Sequence, residues 1–448
     1  MKRILMFGAC VLLLAGCASQ LDDIRPKHAI SSEAVNEADL SKLTNGVLNK
    51  MESFAVSFWT DGDYLGENFT EGPGFDYTDD FMGEIVSTSS SWAKSRWQTA
   101  FVNLMHVNEL LKSANSADAS SPAAMQAKGT AYFFRAYIYY QLVTRFGNVP
   151  VLTAPSMDVV GLSKESDVWG QIITDLLEAE KYLDSASNIF RPSDEACWIL
   201  LAKAYLWTKD NGKAAEYADK VITSGKFQLS KNSNDFASMF VAGTASKEIV
   251  FALANKRSSS YLRIFEKMND TDASFNYSMA EDLRTSLFAD SYGSKDIRKD
   301  PTYNPAFPIR IIKFPNGGQG MGQFIDNEGP STSPIMLFRL ADAYLIKAEA
   351  QGAAAGLATM KEFMASRYES VNLPASMGDK DFQNLVLDEN NREFFAEGHR
   401  WFDLKRTGRT DLIKCWGGRD HLLYWPIPQA EIDLVGKDIY VQNPGYTN

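Results

Sequence analysis

Histidine and cysteine are both scarce in this chain, with four of each among 448 residues. There is no His-Glu-x-x-His spacing and no paired Cys-x-x-Cys, so zinc and redox-dithiol chemistry have no support in the sequence. Cys197 lies in an apolar stretch, ACWILLAKAYLW, where a buried free thiol is expected, and no disulfide framework is indicated. The phosphate-cradling loop G-x-x-x-x-G-K-[ST] and the nucleophile elbow G-x-S-x-G are also missing. Cations are outnumbered, 45 Lys and Arg against 56 Asp and Glu, for a formal charge of −11. An acidic body argues against a nucleic-acid partner. No apolar run beyond the first residues is long enough to span a bilayer.

What the N-terminus does have is a leader. Lys2 and Arg3 form a short basic region, and Ile4–Leu14 (ILMFGACVLLL) is an apolar run too short for a permanent membrane helix. Leu14-Ala15-Gly16-Cys17 follows, and it resembles a bacterial lipobox. Residues 1–16 are therefore expected to be a signal peptide, with Cys17 the lipidated first residue and 17–40 a tether. Removing 1–16 takes away two cations, so the formal charge moves from −11 to −13. Several acyl chains suffice for stable anchoring of a soluble body.

The body, residues 41–448, carries a recurring pattern. RAYIY at 135–139, KAYLW at 203–207 and DAYLI at 342–346 each set Ala-Tyr-aliphatic inside apolar residues of helical period. A small residue beside a large aromatic lets two helices approach and interlock, as in tetratricopeptide-like pairs. The pairing expected is 127–146 with 165–184, 195–208 with 214–224, and 335–351 with 357–370, the last joined by QGAAAG. Another helix is expected at 92–113. The fold class is mainly α. Two stretches break the pattern, 54–91 (Gly, Asp, Ser and aromatics) and 256–334 (Pro-rich), and both read as long loops with short strands.

These landmarks together resemble the SusD/RagB family of Bacteroidetes surface lipoproteins. The matching segments run in order: the lipobox at Cys17, WQTAFVNLMHVNELL at 97–111, AKGTAYFFRAYIYYQLVTRFGNVPVL at 127–152, SKEIVFAL at 246–253, FRLADAYLIKAEA at 338–350, NREFFAEGHRWFDLKRTG at 391–408, YWPIPQAEI at 424–432 and QNPGY at 442–446. The resemblance implies a tetratricopeptide-like scaffold with an irregular ligand-binding part. It also implies a lipid anchor in the outer membrane facing the exterior, and a SusC-like TonB-dependent transporter as partner. The acidic residues after Cys17, Asp22 and Asp23, resemble the export signal of such lipoproteins.

The segment 391–408 is dense in acid–base residues, yet its spacing favours structure over catalysis. On a continuous helix over 385–404, Glu393 and Glu397 would share one face, while Glu397–Arg400 and Glu389–Arg392 would be i, i+3 pairs. A glycosidase needs carboxylates on opposite sides of a cleft, and His399 has no second histidine nearby. Arg392, Glu393, Glu397, Arg400 and Asp403 are therefore expected to form a structural ion-pair network, with no catalytic residue, no metal and no cofactor. Asp61-Gly62-Asp63 and Asp270-Thr271-Asp272 lack the spacing of a calcium loop.

Sugar recognition uses aromatic faces against C–H surfaces, flanked by polar groups. The loop-rich stretches offer Trp59, Tyr64, Phe75, Tyr77 and Trp92, with Asp61, Asp63 and Asn68 beside them, and further along Tyr292 and Tyr303. The ligand contacts expected are Trp59, Asp61, Tyr64, Phe75, Tyr77, Trp92, Tyr292 and Tyr303. An oligosaccharide is the expected ligand. A peptide, as the RagB branch implies, and a protein-binding helical scaffold are the alternatives.

Overall fold

The computed structural model describes residues 36–71, 87–156, 158–241, 243–255, 277–289, 292–303, 311–314, 333–414 and 417–446. Cys17, Phe75 and Tyr77, and most of 256–334, lie outside them. Among the described residues the main helices are α1 (Glu37–Trp59), α2 (Asp61–Leu65), α3 (Ser91–Ser116), α4 (Pro122–Phe146), α5 (Glu165–Ala179), α6 (Asp194–Trp207), α7 (Asn211–Thr223), α8 (Leu340–Met364), α9 (Asp379–Glu393) and α10 (Arg400–Thr407). Six short strands among the described residues, β1 (Phe69–Glu71), β2 (Ile249–Leu253), β3 (Tyr277–Met279), β4 (Gly293–Asp296), β5 (Ile335–Arg339) and β6 (Tyr368–Val371), pair antiparallel as β1–β3, β2–β5 and β4–β6.

The helix starts follow from local chemistry. Asn36, Ser90, Ser121, Ser193 and Asp210 each accept the N–H of the residue three positions on, satisfying a donor that the first turn would leave orphaned. Pro122 opens α4 where a missing N–H costs nothing. The folded part begins earlier than the boundary expected at residue 41, because α1 starts at Glu37 and Leu40 is fully buried.

α4 packs between α3 and α5, α6 against α7, α7 against α8, and α8 against α9. In the three Ala-Tyr units, Ala136, Ala204 and Ala343 are fully buried and Tyr137, Tyr205 and Tyr344 nearly so. The residue before each alanine is a charge held inside. Arg135 takes Asp175 through two bonds of 2.8 and 2.6 Å, and Lys203 pairs with Asp342 at 2.6 Å, linking the second unit to the third.

The third unit needs a correction. Residues 335–339 form strand β5 instead of extending the helix, and all five are buried against β2. A short run buried on both faces carries no alternation, so it cannot be told from helix by period. The following helix breaks at Gly352 (φ 66°), which gives the pair 340–351 and 353–364.

The end of α4 fixes the C-terminal segment. Its last four carbonyls find four partners: Gly147 N donates to Val143 O, Lys405 Nζ to Thr144 O, Trp425 N to Arg145 O, and Asn443 Nδ2 to Phe146 O, all at 2.8–3.0 Å. Three of these donors come from residues 405–443, so closing one helix end draws the chain's C-terminal stretch onto the scaffold.

Candidate functional site

The acid–base segment is not one helix. α9 stops at Glu393, Ala396 (φ 64°) and Gly398 (φ 82°) make a left-handed turn, and α10 begins at Arg400. The pairs expected along one helix face are replaced by pairs across the molecule. Glu393 accepts from Arg339 at 2.6 Å, from Arg367 at 2.8 and 2.9 Å, and from Arg298 at 3.1 Å. Glu397 accepts from Lys313 at 2.7 Å and from Arg339 at 2.8 and 3.1 Å. Glu389 takes Arg298 and Arg392, each at 2.8 Å, and the Tyr368 hydroxyl at 2.6 Å. Only Glu389–Arg392 follows the expected i, i+3 spacing. Arg400 instead donates to Leu387 O, and Asp403 accepts from Arg406.

The electrostatics suit a scaffold. Burial works to raise the Glu393 carboxyl, but Arg367, Arg339 and Arg298 outweigh it and hold the group well below the usual carboxylate range. A carboxylate bound by three fixed guanidiniums is a poor proton acceptor at neutral pH. Burial also keeps His399 neutral, well below the usual imidazole range, with its ring stacked 4.1 Å from Phe394.

The residues expected to touch ligand separate into two groups. Residues 54–65 are helical, not loop, and Trp59, Asp61, Tyr64 and Tyr303 are interior residues. Trp59 meets Phe314 edge-on at 4.7 Å. Asp61, fully buried, accepts from Arg145 at 2.8 Å, Arg96 at 3.0 Å and Trp92 Nε1 at 3.0 Å. The physical reason is charge: two guanidiniums reach Asp61 from α3 and α4, and a paired carboxylate can be interred where an unpaired one would not be. Trp92 and Tyr292 are half-buried. Of the six expected contacts that are described, four are interior, and Trp92 meets one of them, Asp61.

A different place is open. A depression of about 300 Å³ lies beside the β1–β3 pair, walled by Gly66–Thr70, Ala280–Leu283, Asn391, Arg400, Leu412 and Lys414. The β1–β3 register and the bond from Ala280 N to Asn68 O bring the first two walls together. α2 sets the floor: Asn68 N donates to Asp63 O, and the Asp63 side chain accepts from Asn68 Nδ2 and Gly398 N, each at 2.5 Å. Asn68 Nδ2 also donates to Asn391 Oδ1 at 2.8 Å. The sequence marks Asn68 as a polar neighbour of the loop aromatics. It does not mark Asn391, Leu283, Leu412 or Lys414, because nothing local distinguishes residues joined across 323 positions.

Asp63 is the buried titratable group hydrogen-bonded to Asn68 beneath the hollow. Burial pushes its carboxyl up to about 6, against the pull of Asn68 and Gly398. The charged form is therefore disfavoured in the fold. The destabilisation is complete above pH 6 and fades as pH falls through 6 toward 3.8. Asp63→Asn removes this dependence. From pH 7.5 to 4.5, urea unfolding should show the natural chain gaining on the variant by about 2 kcal/mol, since each tenfold difference in proton affinity between folded and unfolded chain is worth roughly 1.4 kcal/mol. A gap that stays constant with pH would refute the assignment.

Among the described residues there is no group of three or more His, Cys, Asp or Glu placed to hold a metal ion, and no helix long and apolar enough to cross a membrane. The fold and the depression together define a class: a helical-hairpin scaffold presenting a polar, open hollow at the edge of its loop-rich part.

Family comparison agrees. Residues 21–206 match the family of starch-binding proteins associating with the outer membrane (SusD-like), and 292–415 match the SusD family. The chain belongs to the SusD/RagB family. It is 24% identical to SusD-like protein P2 of Formosa agariphila, covering 99% of this chain and 100% of that one. It is 25% identical to the starch-binding protein SusD of Bacteroides thetaiotaomicron, covering 80% of each. A laminarin-binding SusD-like protein of known structure superposes with a TM-score of 0.72 at 21% identity, over 92% of this chain and 100% of the other, which establishes a shared fold.

Proposed function

We propose that this protein is a cell-surface receptor that captures an oligosaccharide and passes it to a SusC-like TonB-dependent transporter in the outer membrane. Lipid on Cys17 holds it to the membrane, and no bond of the ligand is broken. The observation that carries the reading is the open depression of about 300 Å³ beside β1–β3. Its size falls at the lower end of small-ligand sites. The family relation supports the same role. Saturation of Glu389, Glu393 and Glu397 by buried cations supports binding without catalysis.

Isothermal calorimetry on the chain with Cys17→Ser tests this. We expect heat with one class of neutral oligosaccharide and none with mixed peptides. Heat with peptides alone would replace the sugar with a peptide ligand, and silence from both would leave the protein-binding scaffold as the better reading.

A further inference from the structure

The floor of the depression holds two asparagines whose amide orientation is not free. A carboxylate only accepts, so the Asn68 atom 2.5 Å from Asp63 Oδ1 is its nitrogen. That nitrogen also faces Asn391 at 2.8 Å, so the Asn391 atom there is its oxygen. The remaining ends are then set: Asn68 Oδ1 is an acceptor and Asn391 Nδ2 is a donor. Neither takes part in a hydrogen bond with another described residue. Both side chains belong to residues more than nine-tenths buried, at 1% and 7% exposure, and both line the hollow.

We infer that Asn68 and Asn391 form a diol-reading pair, binding two adjacent hydroxyls of a neutral sugar ring. This rests on the oligosaccharide reading and specifies the ligand's chemistry. One ring hydroxyl donates to Asn68 Oδ1, and its neighbour accepts from Asn391 Nδ2. Leu283 and Leu412 supply apolar wall for the C–H face. The charge around the hollow disfavours an acidic sugar. Lys414 is paired with Asp282 at 2.5 Å, Arg400 donates to the Leu387 carbonyl, and Glu281 adds negative charge. Asp63 acts here as a positioning residue, since it orients the pair without reaching the ligand.

The test is calorimetry on the chain with Cys17→Ser, using maltohexaose, cellohexaose, xylohexaose and mannohexaose. The glycan that binds most tightly is measured again after periodate cleavage and borohydride reduction, which open vicinal diols. It is then measured on Asn391→Asp, which keeps an acceptor for Asn68 but exchanges the donor for a charged oxygen, and on Asn391→Ala, which removes the donor without adding charge. We expect each variant to bind at least about tenfold more weakly, equivalent to about 1.4 kcal/mol, and the diol-cleaved glycan to lose binding to the unsubstituted site. If neither variant folded, the diol-cleaved glycan would decide alone. Binding within twofold in both arms would overturn the diol pair and leave the receptor reading standing. No heat with any sugar would overturn both.

Discussion

Glu393→Gln should cost about 3–5 kcal/mol of folding stability, the penalty for leaving buried cations without their partner. The substitution keeps volume and shape, so the loss isolates charge. Arg298, Arg339 and Arg367 all converge on this one carboxylate, and all three are fully buried. With the amide in place, three guanidiniums would face a group that carries no charge and offers one acceptor oxygen instead of two. A loss of that size is a large share of the roughly 5–15 kcal/mol by which a domain is ordinarily stable. An exposed pair gives the control. Lys295–Glu369 is 2.6 Å long but 76% and 63% exposed, so Glu369→Gln should change stability by less than about 1 kcal/mol. Urea unfolding at pH 7 measures both. A loss below about 1 kcal/mol for Glu393→Gln would mean that the network is not the fold's electrostatic centre.

That network also marks how far the sequence can be read. The composition of 391–408 and its lack of opposed carboxylates are visible there, and they point away from catalysis. The partners are not visible. Arg298 follows β4, Arg339 ends β5 and Arg367 precedes β6, while Lys313 lies in a four-residue described stretch between Pro-rich segments. Local spacing nominates local pairs, while burial selects whichever cations the fold brings near. The helix pairs are legible because a 3.6-residue apolar period repeats with the Ala-Tyr step, and that step is the buried seam. Strand β5 is hidden by being apolar on both faces.

Composition misleads at 54–65. Gly, Asp and aromatics there have the look of a surface loop, which is why Trp59, Asp61 and Tyr64 were expected to meet ligand. These residue types serve an interior purpose instead. Asp61 binds two arginines, and Gly62 permits a close approach of backbones. The pairing of Asn68 with Asn391 has no local signal, since a residue shortly after α2 and one near the end of α9 meet only through tertiary packing.

The substitution Gly62→Ala should be among the most damaging of small changes, with an expected loss above about 3 kcal/mol. A methyl group at Gly62 would overlap the Gly398 carbonyl, which is backbone and cannot swing aside. Gly398, in turn, has φ of 82° and sits against the Trp59 carbonyl, so the turn cannot retreat without disturbing α1. The strain therefore has to be relieved by moving α2. That movement would stretch the Asp63–Gly398 bond, disturb Asp61 between its arginines, and carry Asn68 out of register with Asn391. Stability and ligand capture should fall together, and hydrogen exchange should quicken over 59–71 and 394–400 in the same variant. Gly170→Ala is the matched control. Gly170 lies exposed on α5, and the space a methyl group would take there is open, so alanine should stabilise by about 0.5–1 kcal/mol through helix propensity. If Gly62→Ala unfolded within about 1 kcal/mol of the natural chain, the contact between α2 and the Ala396–Gly398 turn would be loose, and the depression would owe its shape to something other than this backbone-on-backbone seam.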